Sequence, residues 1–246
     1  MSELRVLALE GTVFEHRLAN GRNAGTSETQ TENIVDLSTM EQMLLNVVSA
    51  GRHKPEHIKH HHVQAFLPYA REFLGMLEEI FSAEWVVKPA SNRDPFRRVF
   101  VHGWPFALKA IALAYHQARI DKLGPLAGAI GAKDAGLTVA EAFLAKTREL
   151  EADWAETPSV SLDELKERLA RVDWRRYRKH WVDITSVSIK HGKPRTFRLK
   201  ETGEEQVIAM APNTAAAIGS VKDRLLSANW EALCSTVDHP ISELSA

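Results

Sequence analysis

Ten lysines and arginines crowd into thirty residues: Arg171, Arg175, Arg176, Arg178, Lys179, Lys190, Lys193, Arg195, Arg198 and Lys200. Only Asp173 and Asp183 offset them, so this stretch carries +8 in a chain of net charge −1, and the remaining residues sum to −9. Dense cationic side chains displace condensed counterions from a phosphate backbone, which points such a run towards nucleic acid. Trp174, Tyr177 and Trp181 interleave with the charges. Contacts of this kind position a backbone and do not read bases. The competing reading is a solvated face balanced by nearby acids, with Trp174 and Trp181 as core anchors.

A second cluster is His53, His57, His60, His61 and His62. On a helix, His57 lies three residues from His60 and four from His61, a spacing that can bring two imidazoles to one metal ion. A third ligand is missing from the pattern, and no His-Glu-x-x-His motif accompanies it. His57, His60 and His61 are therefore weak metal candidates beside the plainer reading of a polar helix start. The glycines from Gly124 to Gly131 fail the phosphate-loop spacing, since Ala132 precedes Lys133 and Asp134 follows it. Cys234 and His239 stand five apart without an activating pattern. No catalytic residue, metal or cofactor is expected, and an enzyme is the less favoured class.

The elements that must carry these residues read mainly as α. Leu4 to Leu9 reads as a short strand, and Ala19 to Asn33 as a polar loop. Asp36 or Ser38 can cap a helix whose stripe is Met43, Leu44, Val47 and Val48, ended by Gly51. Val63, Phe66, Leu67, Ala70, Phe73, Leu74, Leu77, Ile80 and Phe81 mark one face of a long helix, with Pro68 predicting a kink or two abutting helices. Phe96 to Val101 fits a helical turn or a short strand. From Trp104 to Tyr115 the only charge is Lys109, so this is the expected central core helix. Glycines 124, 128, 131 and 136 mark a loose segment. Helices follow from about Thr138, with Val139, Phe143, Leu144 and Leu150 inward, and from Ser161, which forms a capping box with Glu164. Thr185 to Ile189 and Thr196 to Leu199 alternate as strands around a turn at residues 191–194, and Gln206 to Ala209 can add a third. Pro212-Asn-Thr opens a last helix.

The expected architecture is a multi-helix, mainly α domain with a small late β-hairpin. It divides into a strand and loop (1–35), a helical core (36–156) and a helix, basic hairpin and final helix (157–246) packed with the core. One cysteine excludes an intrachain disulfide and a four-cysteine zinc site. No apolar run approaches the roughly 18–20 residues of a membrane span, and the amino terminus lacks a signal-peptide pattern, so a cytoplasmic location is expected.

Two stretches carry a family resemblance. One is Val101-His-Gly-Trp-Pro-Phe-Ala-Leu-Lys-Ala-Ile-Ala, following Asp94-Pro-Phe-Arg-Arg-Val-Phe. The other runs from Leu165 to Asp173-Trp174-Arg175-Arg176, with Trp181 soon after, then the basic hairpin and Thr214-Ala-Ala-Ala-Ile218. The segment from Thr31 to Thr39 is compatible with them. Together they resemble the carboxy-terminal helical part of the DndB and DGQHR-domain family. The family's Asp-Gly-Gln-His-Arg motif is absent from all 246 residues. The resemblance implies a DNA-linked, non-catalytic role in bacterial phosphorothioate modification and defence. It carries over only at Asp173, Trp174, Arg175 and Trp181.

The resulting expectation is a DNA-binding accessory or regulatory protein that contacts duplex backbone through the ten basic residues. An alternative is an interaction module docking on a separately encoded partner of a modification complex. A histidine-cluster hydrolase is the second alternative.

Overall fold

The computed structural model describes residues 1–19, 33–85, 100–186, 196–198, 205–207, 209 and 214–234. The fold is mainly α, as expected. Its centre is a helix that is apolar almost all round. That helix, α4 (Pro105–Ala118), starts with proline at its first turn, where a missing N–H costs nothing. Phe106, Leu108, Ile111 and Tyr115 fill the interior around it, and Ala107, Ala110, Ala112 and Ala114 let flanking helices approach closely.

Around it lie α1 (Ser2–Leu9), α2 (Leu37–Ser49), α3 (His60–Phe81), α5 (Ile120–Gly128), α6 (Val139–Asp153), α7 (Leu162–Arg171), α8 (Lys179–Ser186) and α9 (Ala215–Leu226). Helices α2 and α9 make the most extensive contacts with α4, α1 lies against α3, and α6 packs on α5. The capping residues behave as their chemistry requires. Asp36, Thr138, Ser161 and Thr214 each accept a backbone N–H at the start of α2, α6, α7 and α9. Among the described residues, two short ladders complete the fold. β1 (Leu18–Ala19) runs parallel to β2 (Val35–Asp36), and β3 (Thr196–Arg198) runs antiparallel to β4 (Glu205–Val207).

Several expectations are corrected. Leu4 to Leu9 is helical, because burying Leu4, Ala8 and Leu9 requires the period of a helix; a six-residue apolar run does not discriminate between the two periods. Pro68 does not divide α3, which runs as one helix from His60 to Phe81. The supposedly loose glycine segment is helical from Ile120 to Gly128, and its glycines turn the chain only at Gly131 (φ +85°) and Gly136 (φ +90°). Gly124 serves close packing: a Cβ there would lie 2.0 Å from the Trp154 ring. In α6 only Phe143 of the four expected inward residues is fully buried. Val139 and Leu144 face solvent, and Leu150 is half-buried.

Thr185 belongs to α8. The antiparallel ladder pairs Thr196 with Val207, Phe197 with Gln206 and Arg198 with Glu205, so the run expected as a third strand is a partner of the second. The expected first strand at 187–189 and turn at 191–194 lie outside the described residues, as do residues 96–99. Phe100 forms a bridge with Arg175, and Val101–Gly103 is a 3-10 turn.

Candidate nucleic-acid interface

The basic stretch begins where α7 stops. Ser161 caps that helix and Leu165 and Leu169 bury its apolar stripe, which delivers Val172 and Asp173 to the interior. Three backbone hydrogen bonds to distant parts of the chain and one from a nearby indole then clamp residues 173–176. Asp173 N–H donates to the Leu233 carbonyl (2.9 Å), and Val101 N–H to that of Trp174 (2.7 Å). Ala209 N–H donates to the Arg176 carbonyl (2.8 Å), and the Trp181 indole to that of Asp173 (2.6 Å). Trp174 and Trp181 stack with ring centres 5.0 Å apart, and both are buried. They are the core anchors of the plainer reading.

Asp173 is the hub of this clamp. Its carboxylate accepts the Arg175 backbone N–H (3.2 Å), Arg175 Nε (2.7 Å) and Nη2, and Arg178 Nε. Burial by itself would raise its pKa. The Arg175 hydrogen bonds and charge, joined by the Arg178 charge, outweigh burial and hold the carboxyl below its ordinary range. Arg175 in turn is pushed up by its hydrogen bond to Asp173.

Of the five members of the predicted phosphate-binding set with described side chains, three have uses inside the fold and two pair with acids at its surface. Arg175 and Arg176 are buried, which corrects their assignment as backbone contacts: a guanidinium spent on Asp173, or laid 4.6 Å over the Trp104 ring, does not reach a phosphate. Arg178 is likewise committed to Asp173. Arg171 is half-exposed, pairs with Glu167 (3.2 Å) and Glu231 (3.7 Å) and lies over Trp230. Lys179 is exposed and reaches Asp183 at 2.6 Å. Arg198 sits in β3, in register opposite Glu205. Lys190, Lys193, Arg195 and Lys200 lie outside the described residues.

Sequence reasoning missed Arg168. It is buried, donates to the Leu225 and Ser227 carbonyls at the carboxy end of α9, and pairs with Glu164 one turn earlier. A cation is well placed against those outward-pointing carbonyls. The only signal in the sequence is the four-residue spacing of Glu164 and Arg168.

The histidines do not converge. His57 Nδ1 accepts the Lys54 N–H, His60 Nδ1 faces Glu3, and His53 Nε2 donates to the Ala127 carbonyl. Among the described residues no three His, Cys, Asp or Glu side chains are grouped to hold a metal ion, so His57, His60 and His61 do not form a metal site there. Burial raises the Cys234 thiol, the wrong direction for an activated nucleophile. Among the described residues no helix is long and apolar enough to cross a membrane. No known family, curated protein or solved structure matches the chain.

Proposed function

We propose that this chain is a non-catalytic, cytoplasmic DNA-binding accessory or regulatory protein of a modification or defence system, needing no cofactor. One observation carries the reading. Arg175, Arg176 and Arg178 are engaged within the fold and Arg171 and Lys179 are held in surface ion pairs, whereas residues 187–200 carry five basic and no acidic side chains. The phosphate contacts are therefore assigned to Lys190, Lys193, Arg195, Arg198 and Lys200. The resemblance to the helical part of the DndB and DGQHR-domain family supports the DNA-linked role.

The test is duplex-DNA binding by fluorescence anisotropy across a salt series. Five neutralised phosphates give a slope of log K against log salt of about −4.5. A variant with Lys190→Glu, Lys193→Glu and Arg195→Glu is expected to bind at least tenfold more weakly at low salt, with its circular dichroism unchanged. Absence of binding by the wild-type chain at low salt, or unchanged affinity in the variant, would overturn the proposal. Binding to an acidic protein chain in place of DNA would favour the interaction-module alternative.

A further inference from the structure

The histidine cluster has a use that is neither metal binding nor DNA contact. His62 stands at the third position of α3 and is 2% exposed. Its Nδ1 accepts the Lys59 backbone N–H at 3.1 Å, the role that glutamate or glutamine plays in a capping box. One turn earlier, His57 Nδ1 accepts the Lys54 N–H at 3.4 Å in the same way. Two successive turns are thus closed by imidazole lone pairs, and a lone pair that takes a proton can no longer accept.

The same segment fastens three other elements. The Met1 amino group donates to the Ile58 carbonyl (2.9 Å), and Glu3 faces His60 (2.7 Å), which ties down α1. His53 donates to the Ala127 carbonyl at the end of α5 (3.1 Å). The His62 ring lies 4.7 Å from that of Phe143 on α6 and 6.4 Å from Phe66 on its own helix.

We infer that residues 53–62 form an acid-sensitive latch, in which protonation of His62 uncaps α3 and loosens α1 and α6 while the α4–α9 core stays closed. Burial is the main reason His62 resists a proton, and its value is pushed down to about 4. The electrostatic influences of His61, His53 and Lys59 all push it further down, the apolar Phe143 ring of α6 packs against it, and a hydrogen bond to the His57 backbone opposes the shift in part. A protonated His62 would also add positive charge at a helix amino terminus, where the dipole disfavours it.

Peptide-resolved hydrogen exchange between pH 7.5 and 5, corrected for intrinsic rates, tests this. An opening that restores an ordinary imidazole pKa of about 6.5 should become about 30-fold more frequent at pH 5 than at pH 7.5. Protection should fall by that factor in residues 1–9, 54–66 and α6, while α4 and α9 stay the better protected at every pH. The His62→Gln variant keeps an acceptor for the Lys59 N–H without a titrating ring, and should lose the pH dependence. Level protection in the latch down to pH 5, protection in the latch equal to that of α4 and α9, or an unaltered pH response in His62→Gln would each overturn the inference. Should His62→Gln fail to fold, the wild-type exchange pattern decides between these outcomes.

Discussion

Replacing Asp173 by asparagine keeps its shape and removes its charge. In the native chain that carboxylate answers two guanidinium groups, Arg175 and Arg178, whose side chains are only 11% and 16% exposed. Asparagine can accept fewer of the hydrogen bonds and none of the charge. Breaking one side of a buried ion pair costs about 3–5 kcal/mol, because the remaining charge stays desolvated. The slight solvent access of both arginines places the expected loss at the lower end, about 3 kcal/mol. With an m-value of about 3 kcal/mol/M, the urea midpoint at pH 7.5 should fall by about 1 M without a change in slope. Tryptophan fluorescence reports directly, since Trp174 and Trp181 stack beside the clamp. Lys179→Ala, which removes an exposed pair with Asp183, should change stability by less than about 0.5 kcal/mol. The Asp173 carboxyl is held below its ordinary range, so its contribution is complete above the unfolded pKa of about 3.9 and disappears only as the pH drops through the folded value. The Asp173→Asn loss should therefore be equally large at pH 5 and pH 7.5. A midpoint shift below about 0.3 M would show that the hub does not hold these charges.

Three further outcomes are expected. His62 and His116 are held down to about 4 and His102 to about 3, chiefly by burial, so each takes up a proton on unfolding below pH 6.5. Stability should be full above pH 6.5 and lost as the pH falls towards those folded values. Denaturant titration should find the chain about 4 kcal/mol less stable at pH 5.5 than at pH 7.5, and a flat profile would contradict neutral buried imidazoles. Gly124→Ala should cost about 1–3 kcal/mol because its Cβ meets the Trp154 ring, and Trp154→Leu should relieve part of that cost in a double-mutant cycle; independent, additive losses would deny the contact. Arg175→Glu should lower the melting temperature before any effect on DNA can be read, whereas Lys190→Glu should leave it unchanged; equal thermal behaviour of the two would undo the distinction between the clamp and the basic residues that follow it.

Helices with strong local cues were legible. The stripe of α3 and the apolar girth of α4 declared themselves by period, and Ser161 by cap chemistry. The first helix was not legible, because six apolar-rich residues satisfy either period and only its seat on α3 selects one. The hairpin was legible as a β element near residues 196–207, but its register was not. Short alternating runs pair in more than one way, and Thr196–Arg198 takes the following run, Glu205–Val207, as a partner.

Charge marks the limit most clearly. The +8 excess between Arg171 and Lys200 is a property of the linear chain and needs no structure to establish. Whether a given cation faces water or the interior depends on what distant segments bring to it. Leu233, Val101 and Ala209 close around residues 173–176, and Trp104 slides beneath Arg176. Those contacts turn Arg175, Arg176 and Arg178 from surface charges into internal partners of Asp173, Trp104 and Tyr177. An arginine's role follows from its desolvation, and desolvation is created only when the chain folds.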